Sequence, residues 1–587
     1  MFYTKDHKTP SMFEPFSYLG AKRLKRMKQS WAGLFRDHIL AELPVERILS
    51  GYHPDQGRPS KELYAMLGAV LLQQMLDLTD EETVDQFAFN LQWHYALDIT
   101  GESDEAAYLC PKTLWSMRSM VMDKEVAPVL FDVLTDQLKK VFEVDTGKQR
   151  LDSMHLVSNM RHLGRVGLMA RTIRKFLVNL KRKDSEQFAA LPEEVRERYV
   201  PRRGEAVFAL VKPSQSERTL QTLARDLWDL IERFGSDPAI RAMHSYQLLV
   251  RVFSEQCRVQ PQETSGSRQI GIKANREVPS DSLQNPSDPD ATYDRHKGKG
   301  YQVQVMESYT EREPESEREQ ELNLITYVQA QGAHESDSQA VGPALEKSRQ
   351  QGRAPKQLLA DSLYGSDDND LHTRLEGVQL VAPVKTNKKA PVVGLADFVY
   401  DGRQRVTACP QGHAPLKTYR KKQRHSAQLD SAVCAQCPLR GECPVKPGRH
   451  GNYLRYSHKE LRIEQRKAHE QTDEFRDRYR FRSGCEATLS ELDRKTGIKR
   501  LRVRGMPAVT LCVFLKAAGL NILRATRFAN RRCQPENSPF GPVLPRGTLW
   551  YLDQKAFRAC LAAFRRLLSG FPVEAGDDIR LSLSLAT

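Results

Sequence analysis

The chain has no continuous apolar run long enough to span a bilayer. Its longest, Ala508 to Leu523, is broken by Lys516 and falls short of the roughly 20 residues a membrane helix needs. A buried helix is the expectation there, and no membrane partner. The opening stretch, MFYTKDHKTPSMFEPFSYLG, lacks an apolar core of signal-peptide length and a small-residue cleavage site, so a cytoplasmic location is expected. Cysteine is sparse: ten in 587 residues, without a secretion signal, argue against a disulfide framework and for reduced thiols with room for a metal site. The composition also lacks the marks of disorder, with 40% hydrophobic and 28% charged residues. A single core is excluded by length, leaving two to four domains or one domain with a large insertion.

What the chain does have is positive charge in one place. Asp401 to Arg532 holds 30 Lys and Arg against 12 Asp and Glu, a net +18, while the whole chain is at +15, so the remainder sits near −3. A concentrated basic surface is the footprint of phosphate-backbone binding, because each neutralised phosphate releases condensed counterions. Nucleic acid is the expected partner.

Residues 1–145 read as a helical domain for DNA binding or dimerisation. Ser60 is placed to cap a helix whose apolar positions Leu63, Met66, Leu67, Val70, Leu71 and Met75 recur at three and four residues. Thr79 with Glu82 makes a capping box for a helix running on through Phe87 and Leu91 to Trp93. After the Cys110-Pro111 break, Thr113 opens another helix ending in a basic turn near Arg118. At Arg150 the pattern changes to strand-like alternation, with Asp152 set among apolar neighbours, where acids are rare. A helical insertion is expected over about 160–285. It contains a helix from Arg165 to Lys183 and one from Ser214, with Glu217 as capping partner and Gly235 at its end. Gln262 to Asp294 reads as a loop. Strands follow at Tyr301–Tyr309 and Leu322–Val328, then a helix from Ala340 to Gln351, then a short apolar strand ending at Asp361. That order is a mixed α/β sheet. Residues 531–587 form a tail with one helix.

The third acid lies on an expected helix, EFRDRYRFRSGCEATLSEL, in which Tyr479, Arg482 and Glu486 share one face. Three carboxylates drawn from distant positions, Asp152, Asp361 and Glu486, make a hard-oxygen site for Mg²⁺ or Mn²⁺. A pair of such ions suits phosphoryl transfer. The nearby Asp367, Asp368 and Asp370 read as solvated loop or cap residues.

The stretches LDSMHLVSN, NPSDPDATYDRHKGKGYQVQV, LLADSLYGS and YRFRSGCEATLSELDRKTGIKRLRVRG together resemble the DDE transposases of bacterial insertion sequences. GRPSKELYAMLGAVLLQQMLDLTDEETVDQFAFNLQWHYAL resembles their InsH-like N-terminal domain. The resemblance implies an RNase H-like catalytic core over 146–530, with Asp152, Asp361 and Glu486 as ligands of two ions. It implies DNA contacts by Tyr479 and Arg482, and a lysine where this chain has Asp493, with Arg494 and Lys495 adjacent as substitutes. It further implies double-stranded DNA as partner, cleavage at transposon ends, strand transfer of the freed 3′ hydroxyl into target DNA, and a homo-oligomer in the DNA complex. A nuclease of the same fold that does not join strands is one alternative. A non-catalytic zinc-containing DNA-binding protein derived from a transposase is the other.

Within about 405–450, Cys409, Cys434, Cys437 and Cys443 offer four thiolates at spacing suited to structural Zn²⁺, with His413 as a substitute ligand. The remaining cysteines read as buried packing residues.

Overall fold

Apolar side chains on nearly every face of LYAMLGAVLLQQM make α1 (Leu63–Met75) a helix buried all round, at the centre of the largest core. The computed structural model describes residues 2–9, 11–53, 56–57, 59–201, 213–261, 268–311, 321–385 and 392–532. The expected tail helix falls outside them from residue 533 onward. The chain divides into two compact units, Met1–Phe528 and a second from Ala529, of which only the helix end to Arg532 is described.

Several N-terminal expectations need correcting. Glu62, not Ser60, caps α1, accepting from Ala65 N at 2.7 Å, while Ser60 Oγ accepts from Tyr3 N at 2.9 Å. The Thr79–Glu82 capping box is present and opens α2 (Asp80–Phe89). That helix stops at Asn90, whose side chain accepts from Gln92 N and restarts the chain as a separate helix, Leu91–Ala96. After a short helix at Asp104–Ala107, α3 (Pro111–Asp123) runs past Arg118, with Val121 also buried, and Arg118 turns aside to pair with Asp80. It leads into α4 (Val126–Phe142).

Then β1 (Lys148–Val157) begins the central sheet. The insertion follows: α5 (Arg165–Lys183), as the pattern indicated, α6 (Ser216–Phe234) and α7 (His244–Gln256) close a separate core around Phe176, Leu227 and Leu249. Helix α6 begins at Ser216 with no side-chain cap, so the Ser214–Glu217 box does not form. The expected loop at 262–294 is partly sheet: Arg268–Ile272 pairs with Cys257–Pro261, and β2 (Thr292–Asp294) pairs with the start of β3 (Gly298–Ser308).

The sheet is completed by β4 (Ile325–Gly332), which starts three residues later than its apolar run. After α8 (Val341–Gln350) come β5 (Gln357–Ala360), α9 (Asp367–Leu375) and β6 (Gln379–Val381). The strand order is β2-β3-β1-β5-β6, with β4 also paired to β3. Strands β1, β3 and β4 are antiparallel neighbours, and β1, β5 and β6 run parallel. The molecule is thus a mixed α/β structure with a helical N-terminal region.

A second sheet of β7 (Lys417–Lys421), β8 (Arg424–Leu429), β9 (Lys446–Gly448) and β10 (Gly451–Ser457), in the order β7-β8-β10-β9, has its own small core. The chain then returns through α10 (His458–Glu470), α11 (Asp473–Tyr479), α12 (Gly484–Thr496) and α13 (Met506–Arg532). Helix α13 is long and apolar enough to cross a membrane, but 67% of its most apolar window is buried, and its side chains complete the core around α1.

Candidate active site

The parallel pairing of β1 with β5 ends at Leu151 opposite Ala360. One residue further on each strand come Asp152 and Asp361, so register alone delivers two carboxylates side by side. The third arrives on α12. That helix is not continuous with α11, as the sequence pattern suggested: a 3-10 turn, Arg480–Ser483, separates them. The break has a cause in β1. Arg150 reaches under the turn, with Nη1 donating to Phe481 O at 2.8 Å and Nε to Glu307 Oε1 at 2.7 Å. A Cβ on Gly484 would stand 1.9 Å from Arg150 Nη1, which explains glycine at this helix start without invoking DNA. Glu307 is buried and also accepts from Thr488 Oγ1 and from Arg524 Nη1, so α12 and α13 are locked to β3.

Arg482 stands among the three acids. Its Nη1 donates to Glu486 Oε1 at 2.8 Å and its Nη2 to Asp152 Oδ2 at 2.9 Å, with Asp361 Oδ2 at 3.9 Å. Three carboxylates against one guanidinium leave a net −2. The side chain of Asp152 is 11% exposed, that of Glu486 71%. Burial raises the Asp152 carboxyl above the ordinary aspartate range; Arg482 and the Ser153 N–H oppose this, while Asp361 and Asp337 add to it. Burial alone would weaken the Arg482 cation, but Asp152 and Asp361 hold it protonated. Arg482 Nε has no acceptor among the described residues. Tyr479 is half-buried against Phe475, ring centroids 5.5 Å apart. Burial raises its hydroxyl pKa, Arg482 opposes, and Asp361 and Asp152 reinforce, so it lies within the field of the site.

Other assigned residues fall elsewhere. Asp493 serves the end of α12, accepting from Lys499 N at 3.1 Å. Arg494 and Lys495 are exposed on its last turn. At about 100° per residue, Lys495 projects from the helix face opposite Glu486.

The sequence reading of Asp367 and Asp370 as solvated is wrong. Both are buried: Asp367 receives Arg462 through Nε at 3.0 Å and Nη2 at 2.7 Å, and Asp370 pairs with Arg374 at 3.0 Å and Arg466 at 3.7 Å. Asp368, whose side chain is 85% exposed, matches the expectation.

Sequence reasoning missed a polar network beside the acids. Buried Asp337 accepts from Gln302 and Gln304 side chains, and Gln304 Oε1 accepts from Tyr364 Oη at 2.6 Å. Tyr364 N in turn donates to Asp361 O at 3.2 Å, so this network braces the Asp361 turn. No local pattern marks Asp337, whose partners are tens of residues away.

The thiols of Cys409, Cys434, Cys437 and Cys443 are free, half-buried, and line one cavity that His413 also borders. Burial raises the Cys443 pKa, and the other three thiols raise it further. His413 is exposed; its carbonyl accepts from Cys409 N at 2.9 Å. Among the described residues no group of three or more His, Cys, Asp or Glu stands ready-made to hold a metal ion, at these thiols or at the carboxylates. Of the other cysteines, Cys257, Cys485 and Cys512 are buried as expected, whereas Cys110 is only half-buried.

Strand β7 lies at a sheet edge with Lys417, Tyr419, Arg420 and Lys421 all exposed, a cationic rim within the +18 segment.

The family model of the transposase DDE domain matches residues 408–526, which include Tyr479, Arg482, Glu486 and the four cysteines but neither Asp152 nor Asp361. A second family model, a transposase domain, matches residues 28–120, the helical region around α1. No curated protein and no solved structure matches the chain. Two transposase family models matching in this order indicate a DDE transposase of the insertion-sequence type.

Proposed function

We propose that this transposase cleaves DNA at transposon ends and joins the freed 3′ hydroxyl to target DNA, using Asp152, Asp361 and Glu486 on an RNase H-like core. The observation that carries the reading is charge: three carboxylates from β1, the β5 end and α12 meet with a net −2, and a guanidinium already stands between them. That donor set fits Mg²⁺ or Mn²⁺, all-oxygen and anionic. Two bound ions would activate the attacking oxygen and stabilise the leaving one. The sheet, with one antiparallel neighbour of β1 and two parallel strands on its other side, supports the RNase H-like reading.

The chain's own groups divide the remaining work. Asp152 and Asp361 are held by strand register, and Glu486 by the Glu307–Arg150–Arg524 lock, so the three oxygens are set before DNA arrives. Arg482 balances them in the free protein. Tyr479 flanks it. Arg494, Lys495 and the β7 rim supply backbone contacts further out, where each lysine or arginine adds affinity but no sequence information. Holding two transposon ends together calls for a homo-oligomer.

The four cysteines fit a structural zinc: four soft thiols share one cavity wall, and three of them raise the cost of ionising Cys443, a cost that a bound cation would remove. Zinc there would join the turn at Cys409 to the segment Cys434–Cys443.

The test is a strand-transfer assay with the purified protein, Mg²⁺, and duplexes carrying the inverted repeats that flank the gene. Nicked ends and joined product are expected. Cleavage without joining would favour the nuclease, and neither product in Mg²⁺ or Mn²⁺ would overturn the catalytic reading.

A further inference from the structure

The tight turn between β2 and β3 places a second cation, Lys297, beside the strand that carries Asp152. Asp294 Oδ1 accepts from His296 N at 2.8 Å and Lys297 N at 2.6 Å, which folds the turn. Gly300 then brings β3 onto β1: at φ +154° a Cβ there would stand 2.0 Å from Leu156 O, so no other residue allows this approach. Lys297 is thereby carried over β1. Its Nζ lies 3.4 Å from Ser153 Oγ, the residue next to Asp152, and 3.8 Å from Asp337 Oδ2.

Two features separate this lysine from an ordinary ion pair. Asp337 is 8% exposed, and its other oxygen already accepts from Gln302 and Gln304, so the carboxylate is fixed independently of the lysine. Lys297 is 36% exposed on its side chain and held only at the long end of ion-pair range. A contact that long, on a partly exposed lysine, is weak enough for a phosphate to displace it. The same neighbourhood is anionic: burial raises the pKa of the Tyr364 hydroxyl, and Asp337, Asp152 and Asp361 add to it. A DNA strand approaching those acids meets repulsion that Arg482 alone, already shared among three carboxylates, does not offset.

We propose that Lys297 is a phosphate-positioning residue, stored against Asp337 in the free protein and transferred to a DNA phosphate beside the scissile bond on binding. The inference rests on the acids being the site of DNA chemistry, and it assigns the HKGKG turn a role that none of the residues named from the sequence carries. Asp337 fixes where the ammonium waits, and Ser153 ties it to the Asp152 strand.

The experiment uses the full chain as Asp361→Asn, which is expected to bind without cutting, with a fluorescent duplex of about 30 base pairs in Mg²⁺ across a salt series. Adding Lys297→Met should lower the slope of log affinity against log salt by about 1, the signature of one lost phosphate contact. The melting temperature should not move, and Lys297→Arg should restore the slope. If Lys297→Met changes the melting temperature but not the slope, the lysine is structural and the proposal is overturned. An unchanged slope and unchanged melting temperature overturn it equally. If the Asp361→Asn parent itself binds without salt dependence, the DNA-binding reading fails instead, so the two failures are distinct. Should Lys297→Met not fold, Lys297→Gln gives the same comparison.

Discussion

Two acid clusters have members only six positions apart along the chain, Asp361 and Asp367, and each is met by arginine, yet their charge balance is opposite. At Asp152, Asp361 and Glu486 a single guanidinium faces three carboxylates. At Asp367 and Asp370 three guanidinium groups, from Arg374, Arg462 and Arg466, face two carboxylates. The second cluster is a closed fastening between α9 and α10, neutralised and more. The first is short of positive charge, open at Glu486, and assembled from three elements. Contact with arginine therefore does not by itself make an acid structural; on the function proposed above, the residual charge and the open side are what suit the first cluster to a cation. The four cysteines extend the contrast, since like groups crowd one cavity there and raise the cost of ionising Cys443.

The comparison breaks most visibly at Asp361→Asn. The change keeps size and hydrogen-bonding capacity but removes a charge from the under-neutralised cluster, so cleavage should fall by orders of magnitude while folding and DNA binding persist. With one carboxylate fewer repelling its neighbours, melting without metal should be unchanged or slightly higher. Wild-type cleavage rates in Mg²⁺ would remove Asp361 from the site.

Zinc gives the next largest effect. Freshly purified, chelator-free protein should carry about one zinc per chain by elemental analysis, and Cys437→Ser should lower both zinc content and melting temperature. Absence of zinc from such a preparation would leave the thiols as packing groups.

Asp367→Asn should behave in the reverse sense to Asp361→Asn. It strands Arg462 beside a neutral amide, which for a mostly buried pair should cost about 1–3 kcal/mol of stability, discounted because Arg462 keeps some solvent contact. Rate per folded molecule should be preserved. The exposed neighbour, Asp368→Asn, should change stability by less than about 0.5 kcal/mol. Denaturant unfolding of the two variants side by side decides the matter: equal losses would mean the Arg462 pair contributes nothing.

How far these clusters were legible in the sequence follows from the range of their partners. The Thr79–Glu82 box and helix α5 were readable because capping and apolar periodicity are settled within a few residues. Asp152 and Asp361 stood out as acids on or at the end of apolar strands, although only the β1–β5 register shows that they meet. Asp367 was misread because Arg462, its partner, lies 95 positions downstream. Arg482 shares a face with Glu486 in the sequence pattern and pairs with it, but its bond to Asp152 spans 330 positions and has no local trace. The single helix expected across Tyr479 and Glu486 failed for the same reason: the turn at Arg480–Ser483 is dictated by Arg150, from a strand far upstream.

That last contact yields the most discriminating effect, at Gly484→Ala. Helix propensity favours alanine by up to about 1 kcal/mol in a helix interior, but Gly484 is the first residue of α12, where little of that gain applies. Against it stands the 1.9 Å approach to Arg150 Nη1. A long side chain usually yields to such a clash; this one is pinned at Nε by buried Glu307 and at Nη1 by Phe481 O. Overpacking should therefore win, with a net loss of about 1–2 kcal/mol, and Glu486 should shift with the helix start, so metal-dependent cleavage weakens as well. Arg150→Met removes the opposing atoms, so the double variant should lose less stability than the sum of the two single changes. Strict additivity in denaturant unfolding would mean that Arg150 does not set the start of α12, and the break between α11 and α12 would need another cause.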